Sequence, residues 1–554
     1  MNNWAQQVFD SLSLEQRVGQ LICYRASQWA DDTIDMARQG LVGGVSPNYY
    51  RGMQDSRTAI LDFMNALRDA SAVPVMMVSS HACEVQRFGA TPLPGEGASM
   101  MLGATRDTDL AFKVAYAASL ESKAFGFDSV WTPCVDVNTN PGNPIIGTRA
   151  FSDRPQLVID MARAVVRGMQ DARLIPQAKH FPGHGDTGFD THVQIGVVEH
   201  DRRRLDEVEL APYRALIEDG LRGIETAHII YPALDDTPDL PATMSQRCIH
   251  DLLRDEMGFE GLIFSDSLTM KAIKDHFGVE DAAVRALAAG HDVLLQDYDE
   301  PPRPTFDALL KAVTDGVIDR ARFEASVMRV LEHKQWCGLD QRGRLNEQMI
   351  AASFENAAHQ TLCRRVFEAG VTVLEADALP LKRGVRACVI ATCAQEEGKA
   401  ATDFAQTIES GRDVLMRLCR EQLGDLPAAV IDEDPTPDQV DDAVQAAEDA
   451  QVVIFATFPR IVSYKALSGK VGPGQVRLVE RLIKQGKRIV LCVFGTPYVI
   501  TGFPRVEGCL TTYGSTASAV EAGIRVVLGQ AKPGGRLPID LSEAYPFGHG
   551  LTIN

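Results

Sequence analysis

The chain has 554 residues, too many for one hydrophobic core at roughly 100–250 residues per domain, so two domains are expected. Hydrophobic residues make up 45% and charged residues 23%, the balance of a globular protein able to bury its core. A formal net charge of -19 repels polyanions, which argues against nucleic acid and membrane surfaces as partners while leaving room for a local basic pocket.

The opening stretch MNNWAQQVFDSLSLEQRVGQLICY shows no basic region followed by an apolar run, so neither a signal peptide nor a membrane anchor is expected. Ser13 and Gln16 form a capping-box pattern, and Leu14, Val18, Leu21 and Ile22 recur at helical spacing, which predicts a first helix. Short apolar runs then alternate with longer amphipathic segments: around Ile22 and at 42–45, 75–78, 130–135, 175–178, 224–227, 262–264 and 293–295. Eight buried strands separated by helices is the count of a closed parallel (β/α)8 barrel of the TIM type. Beyond residue 300, prolines introduce helical segments through His333, and a further helix over 356–368 leads to a turn at 380–384. Strands at 387–391, 428–431, 452–455, 489–493 and 509–512, alternating with helices such as 438–450, predict a second, open, doubly wound α/β sandwich. The expected division is 1–340 for the barrel, 341–385 for a helical linker and 386–554 for the second domain. The 11 cysteines form no C-x-x-C pair, and several, such as Cys134, Cys388 and Cys492, lie in apolar runs, so a reducing, cytoplasmic setting is expected.

In such a barrel the carboxyl ends of the strands form the active face, where groups distant in sequence converge. Ser79 follows the third predicted strand, Asp136 the fourth, Lys179 and His180 the fifth, His228 the sixth and Asp266 the seventh. The stretch KHFPGHGDTGFDTH, 179–192, concentrates Lys179, His180, Asp190 and His192 where Pro182, Gly183, Gly185 and Gly188 prevent regular structure, which points to chemistry. Asp190 and His192 are two apart, so an extended loop places them on one side and the carboxylate can hold the imidazole as a proton donor. His180 and His184 are four apart, but Pro182 and Gly183 deny the helix that would let them share a metal, and neither metal nor cofactor is expected. Asp136 reads equally as a turn former before Asn138 and Asn140 or as a sugar contact; His228 reads as a satisfied core histidine and stays outside the expected site.

The motif KHFPGHG followed by DTH resembles the β-N-acetylglucosaminidase branch of glycoside hydrolase family 3, whose pattern is K-H-[FI]-P-G-H-G-x4-D-[ST]-H. SLEQRVGQLI, DVNTNPGNPIIGTRAFSD, TAHIIYPALD, GFEGLIFSDSLTMKAI and PGGRLPIDLSEAYPFGHGL extend the likeness over nearly the whole chain. The resemblance implies that Asp266 is the nucleophile of a retaining, exo-acting glycosidase, that His192 is the acid/base and that Asp190 is its partner. It implies sugar-binding roles for Arg87, Arg149, Lys179 and His180. Taken alone, Arg149 can instead pair with Asp153, and Lys179 can point to solvent.

One departure bears on the substrate. Where the family reads D-Q-E-G-G-R-V-Q-R-F, this chain reads SSHACEVQRF, so Ser79 replaces the aspartate that binds O4 and O6 of the sugar. Ser79 and His81 are therefore candidate contacts to a sugar changed at position 4 or 6, and lost activity is the rival reading. A neutral imidazole in place of an anionic base also lets inorganic phosphate compete with water as acceptor. The expected partner is a small carbohydrate, with monomer and homodimer both open. A β-glucosidase-like specificity and a non-catalytic sugar-binding protein on a hydrolase fold are the alternatives.

Overall fold

The computed structural model describes residues 3–26, 29–47, 57–79, 99–192, 194–296, 300–354, 356–393, 410–461 and 468–553. The chain forms two compact units: 1–93, 111–137 and 162–359 make the first, and 94–110, 138–161 and 360–554 the second.

The first unit is the parallel barrel. Its strands are Ile22–Arg25, Gly44–Ser46, Met76–Ser79, Ser129–Val130, a fifth in two pieces (Ile175–Pro176 and Ala178–Phe181), Gly223–Thr226, Leu262–Phe264 and Leu294–Gln296. Every pairing between them is parallel, and bridges Cys134 to Lys179 and Phe264 to Val293 carry the sheet around to closure. The strands read as continuous apolar runs because helices cover the outside and side chains fill the inside. Gly223 lets the fifth and sixth strands approach: a Cβ there would lie 2.3 Å from the Pro176 carbonyl oxygen. The Ser13–Gln16 capping box forms as read and opens the helix Leu14–Gly19, which follows an earlier helix, Trp4–Ser11. The helices Pro302–Thr314, Arg320–Trp336 and Glu347–Phe354 follow in the same unit.

The second unit holds a six-stranded sheet. Strands Ala387–Thr392, Ala428–Ile431, Val452–Thr457, Arg488–Val493 and Gly508–Thr511 are mutually parallel where they pair. Thr372–Glu375, inside the stretch read as helical linker, adds an antiparallel edge strand to Gly508–Thr511. Helices Ser410-capped Gly411–Leu423, Thr436-capped Pro437–Ala446, Pro473–Lys484 and Thr516-capped Ala517–Val527 connect the strands, each cap hydroxyl taking an otherwise unbonded backbone N–H.

Candidate active site

The fifth strand delivers Lys179 and His180 to the barrel's carboxyl end, and each is held by a buried carboxylate. His180 Nδ1 lies 2.7 Å from Asp136 Oδ2, and Asp136 also accepts the backbone N–H of His180 at 3.2 Å, that of His184 at 2.6 Å and the Cys134 thiol at 3.2 Å. Burial lifts the Asp136 carboxyl above its usual range, against the opposing pull of His184 and these donors. Asp136 is therefore neither a surface turn former nor a free sugar ligand: its oxygens are occupied in orienting His180. Cys134, Asp136 and His180 offer atoms within 4.8 Å of one another, yet the thiol and carboxylate already bond to each other, the chemistry of an orienting cluster. Lys179 Nζ lies 3.7 Å from Glu225 Oε2 on the sixth strand and 5.9 Å from the centre of the Trp131 ring, with both charged side chains almost fully buried.

The loop that follows turns on His184. Its Nδ1 lies 2.6 Å from Thr187 Oγ1 and its Nε2 3.0 Å from Thr191 Oγ1, so the second histidine of the pair is an internal staple. One residue past Thr191, His192 donates its backbone N–H to Asp190 Oδ1 at 2.9 Å, and its Nδ1 meets the same oxygen at 2.8 Å. That bond holds the imidazole, which is half-buried, through its Nδ1.

Asp266 follows the seventh strand and keeps partial access to solvent. Burial acts to raise its carboxyl, but the neighbouring imidazoles of His228, His180 and His192 and the Ser267 N–H, 2.7 Å from Oδ1, outweigh it, and the group is held below its usual range. The Asp266 carboxylate therefore lies near enough to His180 and to His192 to feel each of them. His228 joins them, and Glu225 stands behind Lys179; neither was read from sequence as part of the site. Position after a barrel strand was the available signal for His228; for Glu225, inside an apolar run, the only signal was a charge where a hydrophobe belongs.

Ser79 ends the third strand and is fully buried. Arg149 lies on the short turn Gly147–Arg149 of the second unit, its Nη1 donating to the Ile145 carbonyl at 3.2 Å, while Asp153 is 3.5 Å from Arg154. His81 and Arg87 lie outside the described residues.

An ionised carboxylate on the active face of a parallel barrel, opposed by the imidazole of an Asp–His pair, is the equipment of a glycosidase. The family comparison agrees: the glycosyl hydrolase family 3 N-terminal domain matches residues 13–333 and its C-terminal domain residues 371–551. The chain belongs to glycoside hydrolase family 3. It is 27% identical over 566 residues to a β-N-acetylglucosaminidase/β-glucosidase of Cellulomonas fimi, covering 97% of this chain and 95% of that one. It is 36% identical over 266 residues to a β-hexosaminidase of Nitrosomonas eutropha, covering 46% of this chain and 73% of the relative. The solved structure of a family 3 β-N-acetylglucosaminidase from Paenibacillus sp. str. FPU-7 superposes with a TM-score of 0.81 at 29% identity, covering 96% of this chain and 99% of that one. A β-glucoside phosphorylase, BglX, shares the fold with a TM-score of 0.81 at 22% identity, covering 98% and 96%.

Proposed function

We propose that the protein is a retaining, exo-acting β-N-acetylhexosaminidase. Asp266 attacks the anomeric carbon to form a glycosyl-enzyme intermediate. His192, held by Asp190, protonates the departing oxygen and then takes a proton from the incoming acceptor. Lys179 and His180, each fixed by a carboxylate, hold sugar hydroxyls, with Arg87 as a further sugar contact. The observation that carries this reading is the low-lying carboxyl of Asp266 faced by His192. A 2-fluoro or 5-fluoro glycosyl trap should leave one covalent adduct on the peptide containing Asp266, and D266A should neither label nor turn over aryl β-N-acetylglucosaminide. Labelling at another residue, or turnover by D266A, would exclude this assignment. Because neutral imidazole does not repel an anion, added phosphate should divert part of the product to sugar 1-phosphate; its absence at any phosphate concentration leaves water as the sole acceptor. No disulfide joins any two of the ten described cysteines, which supports a reducing, cytoplasmic setting and a role in cell-wall amino-sugar recycling; recovery of the native enzyme outside the cytoplasm would contradict it.

A sugar bearing an anionic group at position 4 or 6 is the second reading, favoured by Arg25. Tyr24 Oη donates at 3.1 Å to the Pro302 carbonyl on an outer helix, so strand alternation turns Arg25 toward the barrel interior, where it is 9% exposed. Ser46, in register with Arg25, is fully buried and its hydroxyl has no hydrogen-bond partner among the described residues. The strand ending at Ser46 pairs with the one ending at Ser79, where a negative charge is absent, and the strand ending at Arg25 is the next one along the sheet. The 6-phospho and 6-carboxy glycosides should then outrun the plain one, with the advantage lost in R25M. An unmodified glycoside turned over best would reject this reading.

A further inference from the structure

Gly196 is buried and opens the short strand Gly196–Val197, which pairs in parallel with Ile229–Ile230. Val198 extends the tie by donating its backbone N–H to the Ile230 carbonyl at 2.9 Å, and Ile229 is fully buried, so this small ladder is fastened to the barrel. A Cβ on residue 196 would overlap Cζ, Cε1 and Cε2 of Phe189. The outer edge of that ring therefore rests on the Gly196 backbone, in space that only glycine leaves open. The glycine serves this close approach and not a left-handed turn, since its φ lies outside that region.

Phe189 immediately precedes Asp190, whose Oδ1 meets the backbone N–H and the Nδ1 of His192. The Asp190 carbonyl accepts the Gln194 N–H at 3.2 Å, so the chain folds back and brings Gly196 under the ring. Thr191, 3.0 Å from His184 Nε2, ties the same run to the loop's own interior. We infer that Phe189, seated on Gly196, is a positioning residue that sets where the loop holds the Asp190–His192 pair. The inference rests on the reading of His192 as proton donor. The bonds of Asp190 orient the imidazole within its own segment; the ring moors that segment to the Ile229–Ile230 ladder. A planar ring suits the task, because it offers a large apolar contact on a rigid frame.

The test compares two leaving groups in the full-length enzyme, since 2,4-dinitrophenolate departs without a proton and phenolate needs one. In G196A, kcat/KM for the phenyl β-N-acetylglucosaminide should fall about 10- to 100-fold, the cost of displacing a general acid, while that for the dinitrophenyl glycoside falls less than about threefold. F189A, which only trims a half-buried ring, should show the same asymmetry and carries the test where G196A does not fold. With the ring gone, a methyl group at 196 has room, so F189A/G196A should be no worse than F189A alone. Equal losses for both leaving groups in F189A, or a G196A penalty undiminished in the F189A background, would overturn the inference. H192A separates the underlying reading: it too should lose the phenyl substrate selectively. Loss of both substrates alike in H192A removes His192 as proton donor and leaves the Phe189–Gly196 coupling of the double variant standing.

Discussion

Lys179 holds its ammonium at the barrel's carboxyl end beside Glu225, whose carboxylate offsets the charge. A lone buried ammonium would lose its proton or force the strand apart; 3.7 Å from Glu225, with both side chains buried, it keeps its charge. E225Q should therefore lower thermal stability by about 3 kcal/mol, the cost of leaving a buried charge unpaired, and raise KM while Asp266 still accepts the fluoro-sugar trap. Unchanged stability and KM would show that Lys179 draws its support elsewhere. The motif residues of this site were legible because an aspartate at a strand end, an Asp–His pair and a Lys–His dipeptide have recognisable spacing. Glu225 and His228 were not, because their meaning depends on which strand lies opposite. Pairing of Ala178 with Ile224 and of Phe181 with Thr226 brings Lys179 alongside Glu225, and no local pattern encodes that register.

At the scale of elements, the apolar runs gave the strands closely because parallel strands buried on both faces need continuous hydrophobic sequence. The fourth strand is shorter than its run: 130–135 was expected, but only Ser129–Val130 pairs regularly. Thr372–Glu375 escaped notice because a short segment directly after a long helix has no pattern of its own until Gly508–Thr511 pairs with it. The loop at 182–192 offers the opposite lesson. Glycine and proline marked it as irregular, yet irregular here means stapled, with His184 tying Thr187 and Thr191 from the buried side. T191V removes one tie next to His192. It should cost about 1 kcal/mol of stability, the worth of a typical hydrogen bond, but reduce kcat several-fold through a looser His192, with KM nearly unchanged. A kcat equal to wild type would mean that the Asp190–His192 bonds alone set the imidazole.

The two-domain organisation follows from length and from the change of pattern after residue 300, and the family comparison covers both parts, at 13–333 and 371–551. Sequence could not reveal that 94–110 and 138–161 would cluster with the second unit, since chain order is no guide to which contacts distant in sequence a segment makes. How the barrel responds to acid is a property of the whole unit that only burial discloses. Burial pushes His291 and His333 from 6.5 down to about 4. Between those values the unfolded chain binds protons that the folded barrel refuses, so stability present above pH 6.5 is lost as pH falls toward 4, by roughly 3 kcal/mol per histidine. His333 is the informative one to remove. Its Nδ1 bonds to the Arg329 carbonyl at 2.8 Å within its own helix, while its Nε2 is buried with no partner among the described residues. H333L replaces that stranded nitrogen with a hydrocarbon, so it should match or exceed wild-type stability at pH 7 and lose markedly less between pH 6.5 and 4.5 in urea unfolding. Parallel losses in the two proteins would show that His333 is already protonated in the folded barrel.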